Sequence, residues 1–389
     1  MPADRDFDLV LFGATGFTGE LTAQYLAEHA PPGCRWALAG RSTSKLEAVR
    51  SRLAETHPDC ADLPLLHADA DDPASLKAVA ESARVVITTV GPYLLYGGPL
   101  VAACAEAGTD YVDLTGEPEF VDRTYLADHD RAVETGARLV HACGFDSIPH
   151  DLGAYFTVQQ LPAGKPIRLR GIVRSNATFS GGTFHSALTA FSRARQMREA
   201  FAERRRKEPR PAGRKVRTIA GRPGRESALG VWALPLPTID PIIVARSAAA
   251  LPAYGPDFGY SHYAGLKTLR YTVGSAVAVP GLVLAAQIRL LREALKKRVK
   301  PGDGPSASRR AKSWFSVDFF GETGDETVHT RVSGGDPGYT ETAKMLAESA
   351  LCLAFDDNPP TAGQVTTAQA MGDALLERLQ KAGIDFEVL

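Results

Sequence analysis

Asp8-Leu9-Val10-Leu11-Phe12 runs directly into Gly13-Ala14-Thr15-Gly16-Phe17-Thr18-Gly19, and then into Glu20-Leu21-Thr22-Ala23-Gln24-Tyr25-Leu26-Ala27. A short apolar run of branched and aromatic residues reads as a buried parallel strand, and Leu21, Tyr25 and Leu26 recur at helical spacing. The order is therefore strand, glycine turn, helix. Gly13 serves the sharp exit from the strand, Gly16 lets backbone approach a pyrophosphate, and Gly19 permits close packing of helix on strand. Phosphate would rest on the free N–H groups at the helix N-terminus, with Ala14, Thr15, Phe17 and Thr18 completing the turn.

The 389-residue chain exceeds one ordinary core, so two domains are expected. A net charge of −1 exerts no general pull on nucleic acid or an acidic surface. Cys34, Cys60, Cys104, Cys143 and Cys352 are scattered without a C-x-x-C pair, which argues against a disulfide framework and against a zinc site. Met1 to Asp6 carries no basic-then-apolar leader, so a cytoplasmic location is expected, with plasma-membrane contact left open.

Outward from the turn, Arg35-Trp36-Ala37-Leu38-Ala39 reads as a second buried strand ending in Gly40-Arg41-Ser42. At that position an acidic residue would accept from a ribose 2′-OH, whereas Arg41, with Ser42 beside it and Lys45 behind, suits a 2′-phosphate. NADP is thus favoured over NAD. Leu63 to Ala68 is a third strand, and Asp69 after it lies where such folds approach adenine, with helix capping as the alternative role for it and its neighbours. Arg84 to Val90 is a fourth strand that opens into Gly91-Pro92-Tyr93, where backbone can come near a nicotinamide and Tyr93 and Tyr96 can form walls. Tyr111 to Leu114 and Arg138 to Ala142 complete a strand–helix alternation that predicts α/β class, a Rossmann-type doubly wound parallel sheet over residues 1–150.

Five motifs together, Gly-Ala-Thr-Gly-Phe-Thr-Gly (13–19), Ala-Gly-Arg (39–41), Val-Gly-Pro-Tyr (90–93), Tyr-Val-Asp-Leu-Thr-Gly-Glu (111–117) and Cys-Gly-Phe-Asp-Ser-Ile-Pro (143–149), resemble the saccharopine dehydrogenase-like proteins. Within that group they are most similar to the trans-acting enoyl reductases of polyketide-derived lipid assembly. The resemblance continues through Ser180-Gly181-Gly182-Thr183, and returns at Tyr339 to Leu353 and Met371 to Leu379. It implies reduction of a carbon–carbon double bond in a lipid-linked or carrier-linked chain with NADP, a polyketide synthase as partner, and peripheral membrane contact. It supplies no catalytic residue. Tyr93, Asp146 and Ser147, all on loops at predicted strand ends, are our candidates for donating or orienting a proton, although Asp146 near Pro149 equally suits a helix N-cap.

From Pro166 to Val173 the pattern turns to alternation, which starts a second, α+β domain with a mixed or antiparallel sheet over 151–338. A helix from Phe184 to Glu203 ends in Arg204-Arg205-Arg206-Lys207, and a disordered Pro/Arg/Gly-rich stretch is expected to Arg225; with no aromatic platform interleaved, it is not a nucleic-acid site. Tyr271 to Ile288 is uncharged and interrupted by Pro280-Gly281, then followed by Arg289, Arg292, Lys296, Lys297, Arg298 and Lys300. Three readings stay open for it: a buried helical hairpin, a membrane-interface segment, and a span. Trp314 to Phe320 and Thr327 to Val332 predict a hairpin. Residues 339–389 predict two helices, Tyr339 to Phe355 and Thr367 to Ala382, and a short strand from Asp385, and the resemblance implies that this part packs back on the cofactor domain. Two rival functions remain: a short-chain dehydrogenase through Tyr263-x-x-x-Lys267, which Gly265 and its place in the chain disfavour, and a dinucleotide-binding lipid scaffold without turnover.

Overall fold

The structure is a computed structural model that describes residues 5–177, 188–298 and 304–389. Ser180 to Thr183, the expected helix start at Phe184, and Lys300 lie outside the described residues.

The first sheet is built from β1 (Phe7–Phe12), β2 (Trp36–Gly40), β3 (Leu65–His67), β4 (Ala83–Thr88), β5 (Asp110–Asp113), β6 (Arg138–Val140) and β14 (Gly363–Val365), in the order β14-β6-β5-β4-β1-β2-β3. All its pairings are parallel. Helices α1 (Phe17–His29), α2 (Thr43–Thr56), α3 (Pro73–Ser82), α5 (Gly98–Ala107) and α6 (Pro118–Thr135) cover it, with the single turn α4 (Tyr93–Tyr96) at the mouth of β4. Because both faces are covered, the central strands carry continuous apolar runs: Leu9, Val10 and Leu11, and Val85, Val86 and Ile87, are fully buried. Strand order reverses between β1 and β4, so the ligand crevice opens there at the carboxyl ends.

The second sheet contains β7 (Ile167–Ser175), β8 (Lys215–Thr218), β9 (Gly224–Glu226), β10 (Val231–Pro235), β11 (Asp257–Leu266), β12 (Phe315–Thr323), β13 (Glu326–Gly334) and β15 (Asp385–Val388). It is mixed: β7 runs parallel to β11 and antiparallel to β12. Alternation in β7 buries Ile167 and Leu169, and turns Arg168 and Arg170 outward to Asp257 and Glu226 at 3.1 and 2.9 Å.

One hydrophobic cluster runs from Leu9 and Leu11 of β1 through Ile148 and Leu152 of α7 (Ile148–Gln159) to Phe315, Val317 and Phe319 of β12. The two sheets therefore share a core across α7. The C-terminal residues serve both sheets. Helix Thr340–Phe355 docks on the first, where the Tyr25 hydroxyl donates to Glu348 at 2.7 Å and Arg138 donates to the Leu353 carbonyl at 3.0 Å. Strand β14 extends the first sheet and β15 the second.

Several expectations are corrected. The stretch expected to be disordered up to Arg225 contains β8, held beside β11, and β9. Leu269–Gln287 is one continuous helix through Pro280-Gly281, not a hairpin, and among the described residues no helix is long and apolar enough to cross a membrane. The last expected helix breaks in two, Thr367–Ala370 and Gly372–Lys381, at Gly372, whose φ of 42° lies in the left-handed region.

Candidate active site

The glycine turn is laid out as its spacing requires. Gly13 has φ of 93°, and a Cβ on it would stand 2.7 Å from the Thr89 hydroxyl of the neighbouring strand exit. A Cβ on Gly19 would stand 2.1 Å from the Gly13 carbonyl oxygen, so α1 seats against the strand only because that position has no side chain. A Cβ on Gly16 would meet the Gly13 oxygen alone, at 3.5 Å, and the space before it is open. Gly16 is also the N-cap of α1 and offers no side-chain cap, which leaves the first N–H groups of the helix to a ligand. Ala14 is buried beneath the turn while Thr15, Phe17 and Thr18 border it. The Phe17 ring packs edge-on to Tyr339 at 4.9 Å, and the Arg310 guanidinium lies 5.3 Å from its centroid. This places a cation beside the phosphate cradle, from a segment whose sequence gave no sign of it.

At the end of β2, Arg41 is exposed and makes no ion pair among the described residues. Ser42 is the N-cap of α2 and its hydroxyl makes no capping bond, lying instead 3.3 Å from the Ser44 hydroxyl. A guanidinium and a helix N-terminus thus flank the spot where a 2′-phosphate would sit. Asp69 is half-buried and accepts from the Asp71 N–H at 3.1 Å, closing a local turn, while the cap of α3 is Asp72, which accepts from the Ala74 N–H. Gly91 is exposed at the β4 exit, with Pro92 and Tyr93 behind it.

The three catalytic candidates fall in different settings. Tyr93 is buried, donates to the Thr88 carbonyl at 3.1 Å and accepts from the Leu114 N–H at 3.2 Å. Burial, then the nearby Asp113 carboxylate, push its hydroxyl well above the usual tyrosine range. Both bonds of the Tyr93 hydroxyl are therefore made to backbone, at the exit of β4. Ser147 is fully buried and its hydroxyl has no hydrogen-bond partner among the described residues. Asp146 is not the N-cap of α7; that position belongs to Ser147. Its carboxylate faces Gly116, where a Cβ would stand 3.1 Å away, and burial followed by repulsion from Asp240 pushes it up to about 7.

What holds these loops together lies in residues first met only as part of a motif. Asp113 is fully buried at the end of β5 and accepts from the Tyr111 hydroxyl at 2.9 Å, from the Thr115 and Ala142 N–H groups at 3.0 Å each, and pairs with His141 Nδ1 at 2.7 Å. One carboxylate therefore ties the β5 exit to the β6 exit. Glu117 accepts from the Tyr93 and Leu94 N–H groups at 3.2 and 2.9 Å and so fixes the β4 exit as well. Ala142 is held at φ of 59° by this network, a conformation that L residues seldom adopt.

The family described as "Saccharopine dehydrogenase NADP binding domain" matches residues 9–140, the span that holds this cradle. Trans-acting enoyl reductases from Mycobacterium bovis and Mycobacterium ulcerans are 40% and 38% identical to the chain, each over 98% of it and over 98% and 97% of their own length. The chain belongs to the trans-acting enoyl reductases. A Mycobacterium tuberculosis relative reaches 43% identity over 98% of this chain and 97% of its own. In fold the reductase is similar to yeast saccharopine dehydrogenase (L-Glu forming), with a TM-score of 0.56 at 12% identity, covering 98% of this chain and 100% of that one. The reductase is an NADP-dependent oxidoreductase. The short-chain dehydrogenase reading fails on position: Tyr263 lies within β11 of the second sheet, paired with Ile172 and Pro235.

Proposed function

We propose that the reductase saturates the carbon–carbon double bond of an enoyl chain carried on a lipid or carrier protein, and that Asp146 donates the proton. Bound NADPH supplies the hydride. The chain's own residues bind and orient: the glycine turn and Arg41 fix the cofactor phosphates, Tyr93 walls the crevice, and Asp113 and Glu117 hold the loops that face it. The observation that carries the reading is Asp146. A carboxyl pushed up to about 7 keeps a proton near neutrality and can release it to the carbon that turns basic as hydride arrives. Ser147, next to it in the chain, has a buried hydroxyl without a partner among the described residues, which supports a role in orienting the substrate carbonyl once the loop admits it.

A long, apolar substrate also gives a use to the pair of helices Leu269–Gln287 and Arg289–Arg298. Leu284 and Leu290 are 68% and 83% exposed there, and Leu269, Ile288 and Leu291 are exposed with them. Arg289 and Arg292 would hold this surface to anionic headgroups at about 1 kcal/mol each. The partner reading is then a chain handed over by a polyketide synthase at a membrane surface.

The test is NADPH oxidation with enoyl thioesters of increasing length. Turnover that rises with chain length, and that falls by about 10²–10⁴ in Asp146→Asn, supports the reading. Stoichiometric NADPH binding with no oxidation across the series would replace it with a non-catalytic, lipid-associated role. Flotation with anionic vesicles checks the membrane reading separately, and protein left at the bottom of the gradient would remove it.

A further inference from the structure

Away from the cofactor cradle, three side chains from three elements meet at the junction of the two sheets. His150 stands in the first turn of α7, Asp240 opens helix Asp240–Ala250, and His262 lies in β11. Their exposures are 2%, 4% and 5%. His150 Nδ1 is 3.0 Å from Asp240 Oδ1, His262 Nε2 is 3.6 Å from Asp240 Oδ2, and one ligand atom from each residue falls within 4.8 Å of the others. Yet among the described residues both ring nitrogens of His150, Asp240 Oδ1 and His262 Nε2 are buried without a hydrogen bond of good angle.

Each buried polar atom left unpaired costs about 1–3 kcal/mol. One such atom from each of the three residues lies within 4.8 Å of the others, a disposition that suits a shared partner. Asp240 and His262 are each engaged at their other polar atom. The Thr238 hydroxyl donates to Asp240 Oδ2, and Tyr260 hydroxyl pairs with His262 Nδ1 at 3.0 Å, which turns His262 Nε2 inward. That is the outer-shell pattern that orients imidazole and carboxylate ligands toward a metal. We propose that His150, Asp240 and His262 bind a divalent transition-metal ion of the zinc class, cross-linking the second sheet to the mouth of the dinucleotide fold. Two imidazoles and one carboxylate suit such a cation better than calcium or magnesium, which take mainly oxygen ligands. The scattered cysteines, which argue against a zinc site, play no part in this one.

The experiment is metal analysis of the purified full chain after extensive dialysis, followed by Co²⁺ titration of chelator-treated protein read by visible absorption. Close to one zinc per chain, replaceable by Co²⁺ with visible bands of tetrahedral or five-coordinate geometry, is expected. Those bands should vanish in His262→Gln and His150→Gln, and Tyr260→Phe, which leaves all three ligands in place, should weaken Co²⁺ by about 10–100-fold. Wild-type protein that carries no metal above background and gives no Co²⁺ bands overturns the proposal. So does undiminished Co²⁺ binding in a folded His262→Gln. Because the readout needs no substrate, it stands or falls apart from enoyl reduction.

Discussion

The glycine turn and the loop junction at the ends of β5 and β6 border the same crevice, but they are assembled in opposite ways. The atoms that crowd the three glycines of the turn come from within a few residues of it, apart from Thr89 and Val90 across the strand exit. The junction takes Tyr111, Asp113, Thr115, His141 and Ala142 from two loops, and one buried carboxylate connects them. The turn is conformational: its function is the absence of side chains. The junction is electrostatic: it depends on one charge meeting donors brought from a distance. Loss of Gly16, which faces open space, should therefore damage cofactor binding before stability, and loss of the buried charge should damage stability first.

The largest effect is expected at the junction. Asp113→Ala removes the acceptor for two backbone N–H groups, a tyrosine and a histidine, all buried, and should cost about 3–5 kcal/mol of folding stability. Urea denaturation followed by tryptophan fluorescence measures it. A loss below about 1 kcal/mol would mean the loops hold without the carboxylate, and the contrast with the turn would disappear.

Next in size is Arg41→Ala. An exposed guanidinium contributes nothing to the fold here, so stability should be unchanged, while NADPH binding should weaken by about 1.5–3 kcal/mol and NADH binding should hardly move. Calorimetric titration with both nucleotides checks this. Equal losses for the two would remove Arg41 from the 2′-phosphate site.

The turn itself separates into two glycines. Gly19→Ala drives a Cβ toward the Gly13 carbonyl and should destabilise by about 1–3 kcal/mol as α1 is pushed off the strand. Gly16→Val has open space for its side chain, so the protein should keep its melting temperature and lose NADPH, because the side chain fills pyrophosphate space. If Gly16→Val still titrates normally with NADPH, the phosphate does not sit on this turn.

These contrasts also explain what could be read in advance. The parallel sheet, the glycine turn and Arg41 were legible because each rests on local spacing: apolar runs for buried strands, glycines three apart, a basic residue at a strand end. Strand β14 was not, since Gly363-Gln364-Val365 is too short to show a period and its place is set by the Arg138–Val140 edge it joins. Strand β8 was hidden for the same reason, with Lys215 and Arg217 masking a strand that pairs only because β11 offers an edge. Asp113 and Glu117 stood in a quoted motif without a role, because their partners at His141 and Tyr93 are distant in sequence. The His150, Asp240 and His262 cluster, drawn from three separate elements, had no sequence spacing to betray it at all.

The smallest effect tests the crevice side of the junction. Asp146 holds its proton up to about 7 in the fold, whereas an unfolded carboxyl loses it near 4. Between those values the native state binds more protons than the unfolded one, so stability must fall as pH rises through the window and level off above it. The size should be on the order of 1–2 kcal/mol, since the half-buried carboxyl keeps some contact with solvent. Urea midpoints of chelator-treated protein at about pH 5 and about pH 8, compared with Asp146→Asn, isolate the term: the variant should lose that part of the decline which belongs to this carboxyl. With Asp146 as the proposed donor, enoyl reduction by the chelator-treated protein should decline above about pH 7 as the donor empties. An identical stability decline in wild type and Asp146→Asn would place the proton elsewhere, and would leave the crevice with cofactor and walls but no acid.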